Sequence, residues 1–432
     1  MTYYAIVLLL LFFMLPAAAG HKSMVHSQSQ LCHDPQQPAS LRCAPAPSAT
    51  FDKQGRLWVV WSSGGHLYVN FSVDQGKTFS AAHVVNSVPE AISAHGENRP
   101  KIVLSEQGKI YLSWTTPLAK RYTGNVRFSY SNDNGLTFST PITVNDNLDM
   151  TGHRFDALAV NKQGTVFMAW LDKRDRLQAK RKGESYKGAA LYYSLSTDGG
   201  HSFAKNQRLM SHTCECCRVA MAIDKDNLPV ILWRNIYDVN TRDHSLIKLR
   251  DNHRASKAVR VSFDNWQVDA CPHHGPALSI SQMIDGVSEQ AKKHSFYHLV
   301  WFNNAPERHG LFYKRMSDPN VLISDSKEFR ELENGLAIPF GDYNKNASHP
   351  DVLSLDNQVW LVWKEFNGEA DEVKLQYSDD NGETWQASVI IATTQKGSDH
   401  PFLLNDNNMI YLQWQTEAEG FRILPLKSYT QN

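Results

Sequence analysis

Seven times the chain repeats one local pattern: a Gly or Asn turn, an alternating strand that ends in tryptophan, then a second strand. KQGRLWVVW ends at Trp61, EQGKIYLSW at Trp114, KQGTVFMAW at Trp170 and KDNLPVILW at Trp233. FYHLVW, LDNQVWLVW and DNNMIYLQW end at Trp301, Trp363 and Trp414, so the successive spacings are 53, 56, 63, 68, 62 and 51 residues. A period of that length built from short strands marks a radial repeat. The expectation is an all-β propeller of four-stranded blades, seven in number, with six as the alternative. After Trp414 only QTEAEGFRILPLKSYTQN remains. That leaves little for an outer strand, and the segment 20–46 is placed to supply one and close the ring. Residues 47–432 then form one propeller domain.

A second motif runs in register with the first. SVDQGKTF (72–79), SNDNGLTF (131–138), STDGGHSF (196–203) and SDDNGETW (378–385) share S-x-D-x-G-x-[TS]-[FW]. The aspartate can accept main-chain N–H bonds, the glycine supplies positive φ, and the aromatic plugs between strands. The modules of Trp233 and Trp301 lack the box. These are Asp boxes, or BNR repeats, and the chain resembles the sialidase-like β-propeller superfamily over nearly all of its length beyond the N-terminal leader. The resemblance implies that the boxes are structural and lie on the outer turn between third and fourth strands, away from the active face.

The N-terminus reads MTYYAIVLLLLFFMLPAAAG. Its apolar run from Ala5 to Leu15 is too short to span a bilayer and fits a signal-peptide core, with Ala17, Ala18 and Ala19 as a cleavage region. Residues 1–19 are therefore a leader, and the mature protein is exported, periplasmic or extracellular, with no later membrane span. Lys plus Arg equals Asp plus Glu at 44 each, without a basic stripe, which argues against a nucleic-acid partner. Six cysteines in an exported chain point to pairing. Cys32 and Cys43 are placed for a local disulfide.

In a propeller the innermost strand of each blade precedes the turn-and-Trp strand. Its start, 14 to 16 residues back from the Trp, carries Arg99, Arg154, Arg218, His349 or His400. Arginine forks bind planar carboxylates bidentately and stay charged; the alternative for each is a salt bridge between blades. Resemblance implies that these strand starts open on the active face. It also implies that HRFDALAVNKQGTVFMAWLDKR supplies Arg154 as the first carboxylate-binding arginine and Arg174 as the family's arginine after the second strand, with Asp172 where the sialidase pattern has Glu. Asp175, or more remotely Glu184, is the acid/base candidate. Tyr343 or Tyr313, with Glu365 or Glu307, is the nucleophile pair. Phe155-Asp156 departs from the family's Ile-Pro, and no late third arginine begins an inner strand.

The remaining cysteines cluster. TCECCR holds Cys214, Cys216 and Cys217 at the entry of the fourth inner strand, and CPHHGP holds Cys271, His273 and His274 before the fifth. Both are loops between consecutive blades and should meet in space. A cross-blade disulfide from Cys271 is one reading; a zinc or copper site on these thiols and imidazoles is the other, since both ligand types suit soft or borderline ions. A reactive thiol is a third. WRNIYDVNTRDHS adds Arg234, Arg242, Asp243 and His244 to the same sector. CECCR with CPHHGP also resembles a subgroup of exported Asp-box proteins. Three functions follow: a sialidase-type glycosidase for acidic sugars without a cofactor, a propeller that binds glycan or another small acidic ligand, or protein, without catalysis, and an exported metal or redox protein.

Overall fold

The computed structural model describes residue 32 and residues 39–251, 254–285, 292–317 and 337–426. The expected leader, 1–19, lies outside them. The fold is an all-β propeller of antiparallel sheets. The first sheet runs Ser48–Phe51, Leu57–Ser63, His66–Ser72, His83–Val84, each strand paired with the next. The same order recurs in the sheets that begin with Lys101–Leu104, Ala277–Asp285 and Ser348–Leu355. Units beginning at His153–Val160 and Ala220–Ile223 are joined into one larger sheet through the single pair Thr213 and Asn235. The unit beginning at Phe402–Asn405 has three strands among the described residues. First strands touch one another in series around an axis, and Phe402–Asn405 returns to Ser48–Phe51.

The repeated tryptophans explain why each unit is a packed wedge. All seven are buried, and alternation puts the residue two positions on at the same face. There Asp172, Asn235 and Glu365 accept the indole N–H of Trp170, Trp233 and Trp363 at 2.8, 3.1 and 2.7 Å. The indole body fills the core while its polar tip stays bonded.

Each Asp box is a self-contained turn after the third strand. Asp133 accepts from Thr137 N at 2.9 Å and from the Ser131 hydroxyl at 2.7 Å, while Ser131 Oγ accepts from Gly135 N at 2.9 Å. The turn also presses on the preceding unit. A Cβ at Gly135, where φ is +78°, would lie 2.8 Å from Trp58, and one at Gly200 would lie 2.7 Å from Phe128. Only glycine permits both the backbone and the approach.

Ring closure uses side chains. Gln413 Oε1 accepts from Ala49 N at 2.9 Å and its Nε2 donates to Pro47 O at 2.9 Å; Gln415 Nε2 donates to Arg42 O at 3.0 Å. Leu41–Cys43 is a 3-10 turn against the last strand, Gly420–Pro425. Cys32 and Cys43 form the expected disulfide.

After Asp172 the chain is helical rather than extended: Arg174–Lys182 is an α-helix. RDRLQAKRK has no Gly, Pro or β-branched residue, its last turn is basic, and Gly183 ends it in the left-handed conformation. Among the described residues no helix is long and apolar enough to cross a membrane.

Candidate functional site

The first strands and the loops that enter them converge on a residue that the sequence did not single out, Glu97. It lies in the loop before Lys101–Leu104 and is 4 % exposed. Glu97 Oε2 accepts from Arg218 N and Gly275 N, both at 2.8 Å, and Oε1 accepts from Arg218 Nη1 at 3.2 Å. His349 Nδ1 and His400 Nδ1 stand 3.8 and 3.7 Å from the same oxygen. Burial alone would raise the carboxyl's pKa; Arg218 and His349 more than reverse that and hold it down at about 2. One carboxylate thus ties together loops from five units. Close approach is built in: a Cβ at Gly275 would sit 2.2 Å from Arg218 Cγ, and one at Gly96 would sit 2.3 Å from the His400 ring.

The three arginines at equivalent strand starts have different fates. Arg99 pairs with Asp399 at 2.5 Å and donates to Pro47 O at 3.1 Å. Arg218 is bound to Glu97 and donates to Pro276 O and Pro350 O at 3.1 and 2.9 Å. Both are inter-unit ties, with their forks occupied. Arg154 is half-buried, its guanidinium carbon 5.0 Å from the Phe155 ring centre, and its Nε has no partner. No carboxylate among the described residues pairs with it. Burial lowers its pKa below the ordinary value, with Cys216, Tyr122 and Cys271 opposing. His95 lies beside it, pushed by burial and by Arg154 down to about 4. The bulky Phe155 has φ of +58°, a strained conformation that a fold tolerates mainly where function or packing imposes it.

His349 and His400 stack with ring centres 3.5 Å apart, and His274 stacks on His349 at 4.4 Å. Burial lowers the pKa of all three.

The sialidase-like residues of the third unit are structurally committed. Asp172 is fully buried and accepts from His153 Nδ1 at 2.8 Å, Trp170, Arg174 N and Arg174 Nε. Arg174 also pairs with Asp146 at 2.6 Å. Asp175 accepts from Tyr192 Oη at 2.8 Å and Arg208 Nη1 at 2.9 Å. Glu184 is exposed beyond the helix. Tyr343 donates to Asn304 at 2.7 Å and contacts the His309 ring, whereas Glu365 accepts from Asp342 N and Trp363. Tyr313 is buried and bonded to His298 at 2.8 Å, and Glu307 is exposed. Among the described residues no tyrosine–glutamate bond joins these candidates.

CECC and CPHH do meet. Cys214 Sγ is 3.7 Å from Cys216 Sγ and 3.1 Å from Cys217 Sγ. Cys216, Cys271 and His273 bring their ligand atoms within 4.8 Å of one another. The expected disulfide from Cys271 is not formed; all four are thiols, and the Cys214–Cys217 separation exceeds the roughly 2.05 Å of an S–S bond. Contacts from Cys216 and Cys217 lower the Cys214 pKa, helped by Arg234 and Arg242; burial raises that of Cys217. Glu215 anchors the loop to the third unit through Lys173 at 2.8 Å and Arg176, on the helix, at 2.7 Å.

Arg234 lies behind this loop. It donates to His274 O and Phe302 O at 3.0 and 2.7 Å, leaving Nε and Nη1 buried without partners. Arg242 donates to Val268 O at 3.1 Å. Asp243 is enclosed by Arg260 and the main-chain N–H groups of Asp264 and Asn265, and His244 is buried with a lowered pKa. At the other end of the axis a cavity of about 640 Å³ is lined by first-hairpin turns. Its Arg56 and Lys53 already pair with Asp52 and Glu106.

The BNR/Asp-box repeat family model matches residues 376–387, which contain the fourth box. Among curated proteins, no sequence match is found. Among solved structures, a PL25 ulvan lyase bound to -[GlcA(1-4)Rha3S]- is 10 % identical, covers 88 % of this chain and 93 % of its own, and has a TM-score of 0.54. A second structure titled as a PL25 ulvan lyase is 9 % identical over the same shares with a TM-score of 0.53. An α-L-arabinanase of Penicillium chrysogenum, complexed with arabinobiose, is 13 % identical over 76 % of this chain and 92 % of its own, with a TM-score of 0.44. The two lyase likenesses show the fold.

Proposed function

We propose that the protein is an exported propeller that binds an acidic glycan at the channel mouth, with Arg154 as its anchor. One observation carries this reading: Arg154 alone of the three strand-start arginines lacks a carboxylate partner among the described residues. A half-buried guanidinium with a free edge favours a carboxylate or sulfate that binds bidentately, and partial exclusion of water strengthens the contact. The ulvan lyase with the same fold is bound to a glucuronate-containing sugar, which supports a ligand of that chemistry. Export is supported by the Cys32–Cys43 disulfide.

Exo-sialidase hydrolysis is the finer form of this reading. It requires a nucleophile and an acid/base across the glycosidic bond, and the bonds made by Asp172, Asp175 and Tyr343 favour binding over that chemistry. Calorimetric titration with sialyl and glucuronyl oligosaccharides tests the proposal. Arg154→Ala should weaken binding at least about tenfold, with Arg154→Lys intermediate. Equal affinity in Arg154→Ala, or no acidic glycan bound by the wild type, sinks it. Release of a fluorophore from a sialoside would separate hydrolysis from binding.

A further inference from the structure

We propose that the same mouth holds a soft or borderline d10 metal ion, copper(I) or zinc(II), on Cys216, Cys271 and His273. This goes beyond glycan binding, and its ligands are different residues.

The ligand atoms come from two loops that are distant in sequence and adjacent in the ring. Cys216, Cys271 and His273 already present one donor atom each within 4.8 Å of one another. Donors that close converge on one ion at bonds of about 2.0–2.3 Å with small side-chain rotations. Two thiolates and one imidazole suit zinc(II) with a fourth position left open, and also copper(I). Cys214, 3.7 Å from Cys216, and Cys217, 3.1 Å from Cys214, are buried beneath these donors.

The surroundings fit a charged centre. Two thiolates leave a zinc(II) centre neutral and a copper(I) centre with net negative charge. Arg154 stands beside Cys216 and Cys271, and Arg234 lies beside Cys214 with two guanidinium nitrogens unpartnered. A purely apolar thiol cluster would have no use for either. The loop is also held rigid before any metal arrives: Cys214 N donates to Arg234 O at 2.9 Å, and Glu215 is clamped by Lys173 and Arg176. His273 has φ of +53°, a strained setting for a non-glycine residue at an exposed position. Cys214, Cys216 and Cys217 are buried while Cys271 and His273 are exposed, so the site has a closed floor and an open rim through which an ion can enter.

The test uses the full mature chain, reduced and stripped of metal under anaerobic conditions, with cobalt(II) as spectroscopic probe and zinc(II) and copper(I) as competitors. The expected result is one cobalt per chain, with thiolate-to-cobalt charge-transfer absorption in the near ultraviolet and tetrahedral d–d bands in the visible. Zinc or copper(I) should displace the cobalt, and whichever does so at lower concentration identifies the preferred ion. Cys271→Ser and His273→Ala remove exposed side chains and leave the core intact. Each should weaken cobalt binding by at least about tenfold and shift the d–d bands. Cys216→Ser should abolish the charge-transfer signal. An unchanged spectrum in Cys271→Ser and His273→Ala overturns the proposal. So does failure of the reduced wild type to take up any of the three ions. So does a peptide map of freshly isolated protein showing Cys271 in a disulfide. None of these readouts involves a glycan, so their failure leaves the Arg154 reading standing.

Discussion

Replacing Glu97 by glutamine is the sharpest perturbation of the fold's centre. The wild-type carboxylate receives two main-chain N–H groups on Oε2 and the Arg218 fork on Oε1. Glutamine keeps one acceptor oxygen and turns an NH2 group toward donors in either orientation. Arg218, bonded otherwise only to carbonyls, loses its counter-charge while still buried. Removing one member of a buried ion pair costs about 3–5 kcal/mol. With unfolding entropy of about 2.1 cal/mol/K per residue, a chain of this length should lose about 4–6 °C of Tm. Scanning calorimetry at one fixed scan rate measures it. Pairing Glu97→Gln with Arg218→Met in a double-mutant cycle should show a coupling above about 2 kcal/mol, because the second change removes the orphaned charge. A Tm loss below about 1 °C, or additive effects in the cycle, would refute the view that this pair locks the inner ring.

Arg154→Ala should leave Tm within about 1 °C of wild type, since no ion pair is lost, whereas Arg218→Ala should lower it by several degrees; calorimetry on the two variants decides. Gly135→Ala places a methyl 2.8 Å from Trp58 at φ of +78° and should cost about 2–4 kcal/mol, read as a Tm loss of about 2–5 °C. The Glu97 carboxyl, ordinarily at 4.5 and held in the fold at about 2, makes stability pH-dependent. Its contribution, about 3 kcal/mol at most, is complete above pH 4.5 and drains as pH falls toward 2. The Tm difference between wild type and Glu97→Gln should shrink over that window, and a constant difference would contradict the assignment.

The parts legible in the sequence are those encoded locally. A strand that ends in Trp with its acceptor two residues on, and an Asp box that closes within eight residues, announce themselves wherever they occur. The adjacency of CECC and CPHH also followed, because consecutive units of a ring must touch. Partners across the axis did not follow. Arg218 meets Glu97 121 positions away and Arg99 meets Asp399 300 away, and no local pattern marks which arginine will be neutralised. Glu97 itself stands two residues before Arg99, in the loop that leads into Lys101–Leu104; a charged residue in a loop entering a strand that faces a crowded axis was the available signal. The helix Arg174–Lys182 was hidden by its charge, which reads as loop until the absence of breakers is weighed against it.

The central claim is that ligand chemistry resides at the Arg154 mouth, and amide hydrogen exchange with and without a saturating acidic oligosaccharide tests it most directly. The account predicts added protection in 95–99, 152–156, 214–218 and 271–276. Protection confined to the Asp-box turns at 74–78, 133–137, 198–202 and 380–384, or to the opposite turns around Lys53 and Glu106, would contradict it.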